Sequence, residues 1–264
     1  MSTASRLEYD GVAKMFAATG RGAPVTAIED VSLAVANGEV VSLIGPSGCG
    51  KSTLLNLGAG LDRPTKGELF AGGEPIVEPN DHVAFMLQKD LLLPWRTVRA
   101  NVELGLEIRG APAGERRERS SSFLRQCRIA DFAESYPHEL SGGMRQRAAL
   151  ARTLAVDPRV LLLDEPFSAL DAQTKMVLQQ DLARSLAAHA KTALFITHDL
   201  AEAIALSDRV LVMSRRPGRI VEELAVDLPD RDSPLTRRQH PRAGDYVTHL
   251  MESLDIRHLK VEAA

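Results

Sequence analysis

The sequence predicts an α/β protein: a mostly parallel sheet with helices packed against it, an N-terminal antiparallel β layer and an inserted helical subdomain. Three observations predict that class. The apolar run Val40-Val41-Ser42-Leu43-Ile44 enters a glycine-rich turn, and a helical pattern opens beyond it at Leu54-Leu55. Two more apolar runs, residues 160–164 and 192–197, flank a helical pattern over 172–189 and read as buried strands. Between these halves, residues of about 95–140 read as a largely helical insert with polar faces.

Taken in order, residues 6–12, 26–35 and 40–44 are short alternating segments separated by the turn formers Gly20, Gly22, Pro24, Asn37 and Gly38, which predicts antiparallel pairing. Residues 67–73 read as a strand entering a two-residue hairpin turn at Gly72-Gly73. In the helical insert, Val98, Val102, Leu104, Leu106 and Ile108 give way to the charged run 115–119, a solvated helix face. The tail from Pro229 carries Arg231, Arg237, Arg238 and Arg242. Its amphipathic stretch, with Tyr246, Val247, Leu250, Met251 and Leu254, predicts a helix folded back on the core.

Bulk properties narrow the field. A chain of 264 residues can bury a full core. Its net charge of −3 and mixed charge pattern argue against a nucleic-acid binder driven by phosphate neutralisation. Cys49 and Cys127 form no disulfide framework, and a reducing cytoplasm suits them. No apolar run approaches the roughly 18 residues of a membrane span, and the N-terminus lacks the pattern of a secretory signal. A soluble protein is expected.

Chemistry enters with Gly45-Pro46-Ser47-Gly48-Cys49-Gly50-Lys51-Ser52-Thr53. A strand, a glycine-rich turn and a helix start are the context a P-loop requires. Glycines let backbone N–H groups converge on phosphates, and the helix N-terminus adds partial positive charge. Lys51 supplies a point charge, and the Ser52 hydroxyl can ligate Mg²⁺. The run Val160-Leu161-Leu162-Leu163-Asp164-Glu165 ends in two carboxylates, at the strand end where ligands bind in open α/β sheets. Asp164 is placed to hold Mg²⁺ directly or through water, and Glu165 to polarise an attacking water. Leu140-Ser141-Gly142-Gly143-Met144-Arg145-Gln146-Arg147 offers a second anion site, with Ser141 as N-cap and glycine amides at a helix start. One P-loop already serves one triphosphate, so the economical solution is that this site completes the pocket of another copy.

These residues resemble the ATP-binding subunit of an ABC transporter from about residue 5 to residue 225. In that family the fold is a P-loop NTPase core with an N-terminal antiparallel β subdomain and an inserted α-helical subdomain. The ABC domain would span 5–228, leaving 229–264 as the tail. The resemblance makes 45–52 the Walker A motif, 160–165 the Walker B motif and 140–147 the signature, where Met144 replaces the usual Gln. Gln88 resembles the Q-loop glutamine, Ser168-Ala169-Leu170-Asp171 the D-loop, and His198 the switch histidine. Phe16 is the best counterpart of the adenine-stacking aromatic, and Tyr9 is its competitor.

The roles implied are catalytic for Glu165, His198, Gln88 and Lys51, metal-holding for Ser52, Gln88 and Asp164, and ATP-binding for Phe16, residues 45–53, Ser141, Gly142, Gly143 and Asp171. ATP and Mg²⁺ are the implied cofactors, sandwiched in a head-to-tail homodimer. Softer similarity, in Leu93-Pro94-Trp95-Arg96-Thr97-Val98 and Ser214-Arg215-Arg216-Pro217-Gly218-Arg219-Ile220, points to importers of nitrate, sulfonates, taurine and related anions. That implies a peripheral subunit at the cytoplasmic face of the membrane, a separate permease and, indirectly, an extracytoplasmic substrate-binding protein. An exporter ATPase or a non-transport ABC ATPase is the alternative. Lys89-Asp90-Leu91-Leu92-Leu93-Pro94-Trp95 is expected to form the permease contact, since an exposed run of leucines with the only Trp is costly in water.

Overall fold

The computed structural model describes residues 5–17 and 23–254. Gly20 and Gly22, read above as turn formers, and the last ten residues of the tail lie outside the described residues. Two sheets share the molecule. The first has strand order β2-β1-β4-β5 and comprises β1 (Ser5–Phe16), β2 (Val25–Ala36), β4 (Lys66–Ala71) and β5 (Glu74–Pro75). Its pairs are antiparallel, and the β4–β5 turn at Gly72-Gly73 has φ of 62° and 86°. Positive φ at both centres suits a hairpin turn that follows strand twist.

The second sheet has the order β10-β9-β3-β8-β7-β6. Its strands are β3 (Val40–Ile44), β6 (Val83–Met86), β7 (Val160–Asp164), β8 (Thr192–Ile196), β9 (Arg209–Met213) and β10 (Ile220–Ala225). All pairings are parallel except that of the edge strand β10 with β9. Here the structure corrects one reading. Residues 40–44 belong to the centre of the parallel sheet, paired with β8 and β9, and not to the antiparallel layer. Every residue of β3 is buried, as are all of β7 and β8, because helices or the second sheet cover both faces.

Helix α1 (Lys51–Gly58) packs between the two sheets. Tyr9 on β1 is buried, and its hydroxyl donates to Leu54 O at 3.1 Å. A Cβ at residue 58 would lie 2.0 Å from that hydroxyl, so a glycine is required there. On the opposite face, α2 (Val98–Ile108), α3 (Ala113–Gln126) and α4 (Gly142–Ala155) bury Val102, Leu106, Leu124 and Leu150 against β6, β7 and α5 (Ala172–Ala188). Cys127 sits in this core, where burial pushes its thiol up to about 12. No helix among the described residues is long and apolar enough to cross a membrane.

After β8, α6 (Leu200–Leu206) covers the sheet, and the tail adds α7 (Pro234–Gln239) and α8 (Ala243–Ser253). Leu250 and Ala243 join Ile204, Val212 and Val226 in a third apolar cluster. Arg237, one of the arginines of the tail, is buried. Its guanidinium donates to Ser207 O at 2.8 Å, Leu228 O at 3.0 Å, Pro229 O at 3.2 Å and Ala205 O at 3.4 Å. Desolvation lowers its pKa, yet the four carbonyls compensate the charge. Arg237→Met leaves those carbonyls without a donor and should cost about 2–4 kcal/mol of stability in urea denaturation. A loss below about 0.5 kcal/mol would show that the guanidinium does not anchor the tail.

Candidate nucleotide site

Sheet order places the C-terminal ends of β3, β7 and β8 side by side, and the candidate residues gather there. The turn from β3 into α1 is possible because Gly50, the residue before the helix, has φ 110°, and a Cβ there would meet Ala27 O at 2.8 Å. Gly48 has φ 73°. Ser47, Gly48, Gly50, Lys51, Ser52 and Thr53 line a pocket of about 320 Å³, together with Gln88, Glu165, Ile196 and Arg216. No acceptor among the described residues takes the amide hydrogens of Gly48, Gly50, Lys51 or Ser52. Such convergent unpaired N–H groups at a helix start fit a phosphate. Lys51 Nζ folds over the loop and donates to Gly45 O at 2.8 Å and Pro46 O at 2.9 Å. Cys49 is buried beneath, its Sγ 3.7 Å from Lys51 Nζ.

Asp164 ends β7 and is nearly buried. Burial raises its pKa; a hydrogen bond with Ser52 and the Lys51 charge pull it down, while Glu165 pushes it up. The Ser52 hydroxyl and the Asp164 carboxylate, side by side at the edge of this pocket, form a hard oxygen ligand pair that fits Mg²⁺. Glu165 has φ 49°, a left-handed conformation unusual for a residue with a side chain. Four bonds hold its backbone: Glu165 N donates to Ile196 O at 3.0 Å, and Glu165 O accepts from Gln146 Nε2 at 3.0 Å, Ser168 Oγ at 3.1 Å and Ser168 N at 3.2 Å. Its carboxylate accepts from Gln88 Nε2 at 3.3 Å and lies 3.5 Å from His198 Nδ1. Glu165, Gln88 and His198 thus converge, although Gln88 and Glu165 are 77 residues apart.

Other candidates lie elsewhere. Ser141 caps α4, its Oγ accepting from Met144 N at 3.3 Å, and Asp171 caps α5, accepting from Thr174 N at 3.0 Å. Those bonds to Thr174 hold the exposed Asp171 carboxyl below the usual range. Gly143 abuts the loop before α5, where a Cβ would sit 3.2 Å from Ala169 O. Ser141, Gly142, Gly143 and Asp171 are absent from the lining of the P-loop pocket. Phe16 ends β1, half-exposed, with Lys14 Nζ 5.1 Å from its ring centroid; it too is outside the pocket lining. Tyr9, buried and bonded to α1, has no free ring face to offer.

Two residues of this region were not singled out for a role by sequence reasoning. Buried Gln146 bonds Glu165 O, Ser168 Oγ and Ala169 N, tying the start of α4 to both carboxylate and cap loops. Arg216 reaches the pocket from the loop after β9. Its sequence signals are the adjacent Arg215 and the similarity of residues 214–220 to importer subunits, and neither points to the P-loop.

The arrangement is that of a P-loop ATPase core, and comparison with known proteins agrees. Residues 28–168 match the family model described as ABC transporter. A nitrate import ATP-binding protein, NrtD, of Synechocystis sp. is 43% identical over 88% of this chain and 86% of its own. A taurine import ATP-binding protein, TauB, of Yersinia pestis is 44% identical over 78% of this chain and 80% of its own. An uncharacterized ABC transporter ATP-binding protein of Methanocaldococcus jannaschii is 44% identical over 84% of this chain. A solved dimeric ATP-binding cassette in a post-hydrolysis state, bound to ADP and Pi, superposes with a TM-score of 0.77 at 33% identity, covering 84% of this chain and 99% of that one. The chain belongs to the ATP-binding proteins of the ABC transporter family, and it is an ATPase.

Proposed function

We propose that the chain powers import of a small anion, in the class of nitrate, alkanesulfonates or taurine, through a separate permease at the cytoplasmic face of a membrane. The observation that carries this reading is the division of the site. The P-loop pocket gathers Lys51, Gln88, Glu165 and Ser52, while the capped helix start at Ser141 faces elsewhere and suits the phosphates of a second copy's nucleotide. Two chains head to tail would complete two pockets, consistent with the dimeric cassettes among its structural neighbours. The names of the nitrate and taurine relatives support the substrate class.

In this mechanism Lys51 and the loop amides neutralise the β- and γ-phosphates and orient the γ-phosphoryl group. Glu165 accepts the proton of the attacking water, and His198, beside it, contacts the γ-phosphate. Ser52, Gln88 and Asp164 would hold Mg²⁺, whose charge when bound offsets that of the phosphate oxygens. Phe16 would stack on the adenine, and Asp171 would approach the nucleotide of the opposite subunit.

Force must leave by a surface. The segment after Gln88 supplies one, with a correction: Leu92 is buried in the helical core, whereas Leu91 and Trp95 are exposed, Trp95 by 71%. Buried Asn101 shapes this segment, its Nδ2 donating to Leu93 O, Arg96 O and Thr97 O at 3.0–3.1 Å. Arg145 Nε bonds Asp90 Oδ2 at 3.1 Å, and Arg152 bonds Asp90 O and Leu91 O, so α4 is tied to the segment. Movement imposed at Trp95 by a permease would therefore reach Ser141 through α4. Trp95→Glu should fold normally and lose copurification with the permease, whereas Leu92→Glu would damage the core. Retention of the permease by Trp95→Glu would remove this surface. ATPase activity of the reconstituted complex, stimulated by a binding protein loaded with nitrate or taurine, tests the function; stimulation by neither anion refutes the substrate class.

A further inference from the structure

The loop Ser214-Arg215-Arg216-Pro217-Gly218-Arg219 joins β9 to β10 and is pressed against the P-loop. Gly218 N donates to Ala27 O at 2.9 Å, and Gly218 O accepts from Glu29 N at 3.0 Å. A Cβ on Gly218 would lie 2.1 Å from Cys49 O, so the two loops touch backbone to backbone. Ser214 Oγ donates to Pro217 O at 3.1 Å and accepts from Arg219 N at 3.0 Å, while Arg219 pairs with Glu29 at 2.8 Å. The loop is thus fixed at both ends. From it, exposed Arg216 donates twice to one atom: Nε at 3.1 Å and Nη2 at 2.9 Å from Gly48 O. Arg216 and Lys51 are the two cations lining the pocket.

We propose that Arg216 is a positioning residue that pins the tip of the P-loop and thereby sets its affinity for nucleoside di- and triphosphates. The reason lies in the loop's own freedom. The Gly48–Cys49 peptide follows Gly48, whose φ is 73°, and a glycine on its N-terminal side lowers the barrier to turning that peptide over. A flip would aim the Gly48 carbonyl at the phosphates and break the bond from Cys49 N to Pro46 O, 3.4 Å, that closes the loop. The planar guanidinium, with two donors on Gly48 O, fixes the unit in one orientation, because C=O and N–H of a trans peptide point opposite ways. Pre-organising the loop removes an ordering cost from each binding event. Its charge also stays at the pocket mouth, favouring anionic ligands.

This inference rests on the P-loop being the phosphate site, so one titration series separates the two ideas. Binding of MgADP and of MgATP to the full chain would be compared for the wild type, Arg216→Met, Arg216→Lys and Lys51→Ala, the ATP titrations in a Glu165→Gln background. Arg216→Met should raise Kd about fivefold to tenfold for both nucleotides, the net weight of a hydrogen bond at an exposed site. Arg216→Lys should stay within about threefold of wild type, since an ammonium restores the charge and one donor. In the assembled transporter, the loss should fall on KM for ATP rather than on kcat. Wild-type Kd in Arg216→Met, a Lys variant no better than Met, a loss confined to kcat, or failure of Arg216→Met to fold would each overturn the proposal. MgADP binding that survives in Lys51→Ala would instead sink the P-loop as the phosphate site.

Discussion

Glu165→Gln should bind MgATP as tightly as the wild type and turn it over about 10²- to 10⁴-fold more slowly, the usual weight of a general base. The geometry separates the two effects. Gln is nearly isosteric with Glu, and the bonds that hold residue 165 in its left-handed conformation involve only its backbone, its N–H donating to Ile196 O and its C=O accepting from Gln146 and Ser168. The phosphate-facing amides and Lys51 lie on another element and stay in place. What changes is one atom, the carboxylate oxygen that faces both Gln88 Nε2 and His198 Nδ1. An amide cannot accept the proton of water. His198 is the rival base, and comparison of the two variants decides between them. Near-wild-type kcat in Glu165→Gln, with collapse in His198→Ala, would transfer the role to histidine.

How much of this was legible beforehand follows from the distance over which each signal acts. The phosphate loop, the carboxylate-ended strand β7 and the caps at Ser141 and Asp171 are local patterns, set by a strand end, glycines and the first turn of a helix. Such features need no tertiary knowledge. The sheet to which residues 40–44 belong is not legible, because a five-residue apolar strand carries no mark of its partner's direction. Leu91, Leu92 and Trp95 could not be sorted into buried and exposed, since the segment is neither helix nor strand and has no period; buried Asn101 decides. The contact of Arg216 with the P-loop is invisible in the sequence for a different reason. Its partner Gly48 lies 168 residues away, and only the order of β3 beside β9 brings their loops together. Arg237 likewise reads as a solvated charge until the tail folds over α6 and turns it toward four carbonyls.

Ser141→Asp should abolish the gain from dimerisation without disturbing the fold. Aspartate is as good an N-cap as serine, so the α4 start, now held by Ser141 Oγ accepting from Met144 N, keeps its cap and stability changes by less than about 0.5 kcal/mol. The new carboxylate would nevertheless stand where the proposed site needs hydrogen-bond donors for another copy's γ-phosphate. Like charges in a closed, water-poor pocket repel strongly, and losing one preorganised donor group already costs about 10²-fold in comparable sites. Turnover of the assembled complex should therefore fall at least ~10²-fold. Since Ser141 does not line the P-loop pocket of its own chain, MgADP binding to a single chain should be unchanged. That combination, intact binding with lost turnover, is what a pocket shared between two chains demands, because the damaged wall belongs to the partner's nucleotide. Weakened MgADP binding by the lone chain would place Ser141 in its own pocket, and full turnover in the complex would leave the helix start as a plain cap.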